Sequence, residues 1–375
     1  MFKNSIKIAR IFGINIEVDM SWLIVFILFT YSLSVGYFPN VLPEYDEGVY
    51  WITGVIVTIF VFASVLVHEL AHSLTAIKEG ISIKRITLFI FGGVAHLEEE
   101  PKTAASELKI TILGPISSIL LGGFFGLLYL LVQSGNLIGE SLFFLARINL
   151  VIGVINLVPA FPLDGGRILR ALLWKFKQDL VTATKLSVYA GTGFAFLLIS
   201  FGFIVTFTTS LFGLWYVLMG WLLYQAGHSS YTQVVLKNSL SGVYIADVMT
   251  ERVITVPPYI TIGKLIEEFY KYKVGAFPVL EDDGTVNGLV SLNDVKTIKR
   301  DKWGLTRVDD IMTPIEECYV FRPDEEAVEA MMKMANNNAS RILVIENGEL
   351  KGILSNTDMM RLIKMKSMFD GITEG

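Results

Sequence analysis

Apolar residues run almost unbroken through six stretches in the first two thirds of the chain, at about 21–38, 51–77, 107–132, 141–161, 184–207 and 211–227. Each is close to or longer than the ~20 residues that an α-helix needs to cross a hydrocarbon core of about 30 Å. The pattern therefore predicts six membrane spans. Ahead of the first one, Ile6, Ile8, Ile14, Ile16 and Val18 alternate with polar neighbours on either side of Phe12-Gly13. Such alternation around a turn signal predicts a short β-hairpin lying at the membrane surface. From about residue 240 onward charged residues reach the density of a soluble domain. Two modules are expected, one in lipid and one in water. They are a membrane domain over 1–230 and, after a linker at 231–244, a polar half made of units 245–305 and 306–366.

Composition agrees with the division. Of 375 residues 53% are hydrophobic and 18% charged, and the mean hydropathy is +0.55, values of a membrane protein. The one cysteine, Cys318, lies in the polar half, so no intrachain disulfide forms. Residues 1–20 hold no continuous apolar core or small-residue cleavage site, so no removable leader is expected. No long basic run supports nucleic-acid binding, and the net charge of -5 says little about partners. The basic residues do orient the spans. Lys3, Lys7 and Arg10, then Lys78, Lys84, Arg85 and Lys102, then Arg167, Arg170, Lys175, Lys177 and Lys185 flank alternate connections, while 39–50, 133–140 and 208–210 contain none. By the positive-inside rule both termini face the cytoplasm of a multi-pass cell-membrane protein.

Within the second apolar stretch, residues 68–72 read His68-Glu69-Leu70-Ala71-His72. Ionisable side chains inside a span are costly and mark function by default. On a helix, positions i and i+4 share a face, so His68 and His72 can hold one metal ion together. Glu69, beside the pair, can then act as general base on water at the ion. At ~1.5 Å per residue the histidines lie about 9 to 15 Å below the cytoplasmic surface. Catalytic zinc takes a third protein ligand. The strongest candidate is Asp164, because span four brings it to the same leaflet. Pro159, Pro162 and Gly165-Gly166 surround it with irregular backbone, tolerated at membrane depth only where it is buried or lines a wet cavity. An ordinary loop aspartate is the alternative. His96 and His228 are not assigned to the metal, and Gly114-Pro115 reads as a kink used in packing.

The two motifs in this order, HExxH and then Asn156-Leu157-Val158-Pro159 followed by Leu163-Asp164-Gly165-Gly166, resemble those of the site-2 protease family of intramembrane zinc metalloproteases, over about residues 1–230. The resemblance implies hydrolysis of peptide bonds within or near transmembrane segments of membrane proteins. It implies one zinc ion on His68, His72 and Asp164, Glu69 as catalytic glutamate, and a catalytic role for Asn156, for which packing between spans is the alternative. Residues 83–97 are strand-like with a bend at Gly92-Gly93 and resemble the family's membrane-associated sheet. An exposed edge there could pair with an unwound substrate, or the segment could be a purely structural hairpin.

The polar half repeats itself. Asp247-Val248-Met249-Thr250 recurs as Asp310-Ile311-Met312-Thr313, and Gly288 to Asp294 recurs as Gly352 to Asp358, 63 and 64 residues on. Each copy reads as strand, helix, two strands and helix, with Ser-x-x-Asp opening the last helix. The pattern resembles a tandem pair of cystathionine-β-synthase (CBS) domains. That resemblance implies an adenine-nucleotide site at Ser291, Asp294, Ser355 and Asp358, and homo-oligomers joined through the CBS pair. Helix capping alone would also account for those four residues. The fold class expected is a polytopic α-helical membrane protein, six transmembrane helices with short β elements, fused to an α+β cytoplasmic tandem CBS module. Two other functions stay open: a CBS-regulated ion or solute transporter using the intramembrane His, Glu and Asp as its path, and a pseudoprotease that binds membrane proteins without cutting them.

Overall fold

The structure is a computed structural model that describes residues 5–90, 92–97, 99–132, 135–337 and 339–373. The chain divides into two compact units, residues 1–234 and 235–375.

The first unit begins with strands β1 (Ser5–Ile11) and β2 (Ile14–Asp19), paired antiparallel about Phe12-Gly13, where both residues have positive φ. Asp19 closes the hairpin and caps the next helix by accepting from the Ser21 amide at 2.9 Å. The helices that follow are α1 (Met20–Tyr31), the short α2 (Phe38–Val41) and α3 (Glu47–Lys78). Next come strands β3 (Ile83–Phe89) and β4 (Gly92–Leu97), then helices α4 (Ala104–Leu131), α5 (Leu137–Asn156), α6 (Asp164–Lys177), α7 (Leu180–Thr208) and α8 (Gly213–Leu240). The four strands form one mixed sheet in the order β1-β2-β3-β4, with β2 and β3 parallel. Ile14, Ile16 and Ile86 are wholly buried on one face of the sheet and pack against Leu66 and Leu70 of α3. This apolar contact seats the sheet beside the turn of α3 that carries His68 and His72.

Among the described residues five helical stretches are long and apolar enough to cross a membrane: Met20–Val41, Glu47–Lys78, Ala104–Leu131, Leu137–Asn156 and Leu180–Thr208. The sixth expected span is not among them. The sixth apolar stretch lies in α8, where Gln225, His228, Ser229 and Ser230 interrupt the apolar run soon after it begins. The fourth stretch also ends earlier than its composition suggests, because α5 stops at Asn156 and residues 157–163 are non-helical.

The second unit holds two three-stranded sheets, and the opening segment of the second copy supplies one strand to the sheet of the first, just as Thr250 of the first bridges Ile353 of the second. The first sheet is built on α9 (Ile262–Tyr272), β5 (Ala276–Leu280), β6 (Val286–Ser291) and α10 (Leu292–Lys296) of the first repeat together with β7 (Thr313–Pro314), in strand order β5-β6-β7. The second contains β8 (Val320–Phe321), α11 (Ala327–Asn337), β9 (Arg341–Glu346), β10 (Glu349–Ser355) and α12 (Asn356–Thr373), with order β10-β9-β8. The opening strand expected in each copy is β8 in the second, whereas in the first it shrinks to a single bridge between Val256 and Val279. Phe277, Val279 and Val290 fill one core, and Ile342, Val344 and Leu354 the other.

Candidate metal centre

Helical spacing puts His68 and His72 one turn apart on α3, 5% and 9% exposed, with ring centroids 4.8 Å apart. Asp164, the first residue of α6, reaches them from 92 residues further along the chain. Its Oδ2 lies 3.1 Å from His68 Nε2 and 3.2 Å from His72 Nε2, and the two Nε2 atoms are 3.2 Å apart. A tetrahedral zinc ion with N and O ligands at about 2.0–2.1 Å spaces its donors about 3.3 Å from one another. The three donor atoms match that spacing to within a few tenths of an ångström.

The hydrogen bonds behind the rings favour the same use. His72 Nδ1 is 2.8 Å from the Ile110 carbonyl, which only accepts, so Nδ1 carries the proton and Nε2 presents a lone pair. His68 Nδ1 is 2.9 Å from the Ser118 hydroxyl. Both partners come from α4. Three donor atoms in mutual contact within a buried pocket could hold a metal ion between them, and partners that fix ring tautomer and orientation are the usual support of a metal site.

Glycine clears the room. A Cβ at Gly114 would stand 2.1 Å from His72 Nε2 and 2.8 Å from His68 Nε2, in front of the nitrogens. At Gly93 a Cβ would meet Glu69 Cγ at 2.5 Å. The Gly114-Pro115 pair expected to kink α4 lies inside one unbroken helix, and its glycine serves the histidines. Gly165 and Gly166 lie in the first turn of α6, where Cβ atoms would strike the Leu157 and Val158 carbonyls and the Phe161 amide at 2.3–2.4 Å. They permit close approach of helix and loop.

Asp164 is held in place from three sides. Glu107, 1% exposed at the start of α4, receives the Arg170 Nε–H at 2.9 Å, and Arg167 Nε lies 3.7 Å from the same oxygen. Arg170 also sits over the Phe161 ring at 5.1 Å. From α7, Ser187 donates to the Gly166 carbonyl at 2.5 Å. These anchors have no motif. Only Gly114 and the arginines stood out in the sequence, and for other reasons.

A cavity of about 710 Å³ opens onto the cluster, lined by Glu69, Asn156, Arg167, Gly92, Gly93 and apolar residues of α5. Asn156 is the last residue of α5, and β4, which carries both glycines, is an edge strand of the sheet. His96 is instead 3.2 Å from Thr87, and the His228 ring packs on Tyr224. In the second unit a cavity of about 210 Å³ is lined by Ser291, Asp294, Cys318, Ser340 and Arg341 among others. Ser291 and Asp294 form a capping box on α10, and the Ser355 hydroxyl donates to Asp358 at 2.5 Å at the start of α12. Ser355 and Asp358 are not among the residues lining that cavity.

Comparison with known proteins follows the same division. The profile of peptidase family M50 matches residues 56–200, and that of the CBS domain matches 245–300 and 308–365. Rip3 of Mycobacterium tuberculosis is 34% identical over 370 residues, covering 96% of this chain and 93% of its own. The zinc metalloprotease MJ0392 of Methanocaldococcus jannaschii is 31% identical over 366 residues, 96% of each chain. Among solved structures, the site-2 protease from Methanocaldococcus jannaschii is similar with a TM-score of 0.43 and 31% identity, covering 60% of this chain and 95% of that one.

Proposed function

The chain belongs to peptidase family M50, the site-2 proteases, and on that footing we propose that it cleaves peptide bonds within or beside the transmembrane segments of membrane proteins, with zinc held by His68, His72 and Asp164. The observation that carries the reading is the convergence of the three donor atoms at 3.1–3.2 Å. The ion, when bound, supplies Lewis acidity to water and to the scissile carbonyl. Glu69 takes the proton of the attacking water and delivers it to the leaving amine as the C–O bond forms and the C–N bond breaks. The Asn156 amide donates to the carbonyl oxygen as it gains negative charge. Gly92 and Gly93, on an edge strand beside Glu69, offer backbone groups to a substrate drawn out into extended form. The basic connections support an orientation with both termini in the cytoplasm.

Detergent-purified protein, a model single-span substrate and a zinc determination test the proposal together. Wild type should cleave. Glu69→Gln should keep its zinc and lose ~10²–10⁴-fold in rate, the usual worth of general acid–base catalysis. A chelator should abolish cleavage, and added zinc should restore it. Zinc absent from the purified wild type would overturn the reading. A transport path gives no reason for the Glu69 variant to fail while the metal stays bound.

For the second unit we infer an adenine-nucleotide site in the cavity at Ser291, Asp294 and Arg341, regulating the protease. The argument is the cation and hydroxyls gathered in that cavity together with the two CBS matches. Calorimetric titration with AMP and ATP tests it, and absence of binding heat by both would remove it.

A further inference from the structure

Arg147 is the eleventh residue of the twenty in α5, and its side chain is exposed. Ten residues, about 15 Å, separate it from Leu137 at the helix start, and nearly as much from the other end. An exposed guanidinium at the midpoint of a spanning helix faces hydrocarbon unless something polar covers it. Among the described residues no carboxylate pairs with it within 4.0 Å; Glu140, two turns back along α5, is hydrogen-bonded to Tyr37 instead. Its neighbours are two aromatic rings, Tyr37 and Phe144, each with its centroid 5.9 Å from the guanidinium carbon. These rings pack on each other at 5.0 Å and form one wall behind the cation. Beyond these rings the residue is exposed.

Position along α5 says what that side faces. Ile148, Val151, Ile152 and Ile155 of α5 line the cavity over the metal cluster. Arg147 stands one turn before Val151, next to that stripe and not itself lining the cavity. A polypeptide entering the cavity along α5 therefore passes the guanidinium a little over two turns before it reaches Ile155 and Asn156. A planar, permanently charged group with several N–H donors in a dry setting matches a carboxylate in shape as well as charge.

We propose that Arg147 is a specificity-determining residue that selects substrates carrying an acidic side chain within their spanning segment, one to three helical turns from the scissile bond. The inference rests on the proteolytic reading above. Tyr37 and Phe144 hold the guanidinium in place by cation–π contact until the substrate carboxylate arrives.

The test uses full-length protein in nanodiscs and a set of fluorescent single-span polyleucine-alanine probes, each with Glu, Gln or Leu at one of successive positions. Binding is read by energy transfer on the Glu69→Gln protein, and cleavage on the wild type. At one register the Glu probe should bind at least ~10-fold more tightly than the Gln probe. Arg147→Gln should erase that difference while zinc content and binding of the Leu probe stay unchanged. Arg147→Glu should prefer a Lys probe at the same register. Equal binding of Glu and Gln probes at every register overturns the proposal. A Glu preference that depends on Arg147 without cleavage of any probe by zinc-loaded wild type supports the arginine's role in helix recognition and overturns the protease reading instead.

Discussion

Position 114 has no space for a methyl group, because its Cβ would occupy the ground in front of both histidine nitrogens. Gly114→Ala is expected to lose bound zinc while helical content by circular dichroism is unchanged. Metal analysis of the purified variant checks this, and a full complement of zinc would contradict the packing. Ser118 is 2.9 Å from His68 Nδ1 and orients that ring. Ser118→Ala should weaken zinc affinity by about 10–100-fold, the usual effect of removing such a support, and Ser118→Thr should restore most of it in a competition titration with a chelating dye. At this scale the sequence was partly legible. His68, Glu69 and His72 stand in one motif, and helical periodicity alone places the two rings together. Gly114 and Ser118 lie 42 and 50 residues from His72 and His68, and the only local signal there, a Gly-Pro pair, suggested a kink and not a role beside the histidines.

Helix α6 delivers Asp164, and its placement depends on a buried ion pair. Removing one partner of such a pair typically costs about 3–5 kcal/mol, because the other charge is left stranded. Arg170→Met should therefore lower the thermal midpoint in detergent and reduce zinc occupancy, since Asp164 opens the same helix. Pairing it with Glu107→Leu should recover much of the loss in a thermal melt. No recovery would mean that the two charges are not coupled in the way their contact implies. The existence of most elements could be read from apolar runs and turn residues, including the hairpin about Phe12-Gly13. Of the six expected spans, five correspond to long apolar helices among the described residues. A run of apolar residues predicts a span only if it lasts, and the one in α8 gives way to Gln225 and His228 after about three turns.

For the whole molecule, the two units carry separate chemistry. Burial pushes the Cys318 thiol up to about 11, helped by the nearby charges of Glu317, Glu316 and Asp294. Only the thiolate reacts with alkylating reagents. Labelling of Cys318 by iodoacetamide should be slow at pH 7 and keep rising past pH 9, where an ordinary thiol has already levelled off. Because Cys318 lines the second unit's cavity, bound AMP should slow it further. Mass spectrometry of labelled protein across pH, with and without nucleotide, reads both effects. Labelling that saturates near pH 8.5 would show the thiol to be exposed.

The amino-acid sequence alone determined that the chain has a lipid-embedded half and a repeated polar half. It also determined that His68, Glu69 and His72 share one helical turn, because hydrophobic runs, repeats and i, i+4 spacing are local properties. Folding in three dimensions decided which distant groups complete the cluster. Asp164 reaches the histidines only because Glu107 and Arg170 dock α6 on α4, and the rings keep their orientation through Ile110 and Ser118. Contacts between residues 38 to 96 positions apart depend on how helices pack, and no pattern along the chain records them.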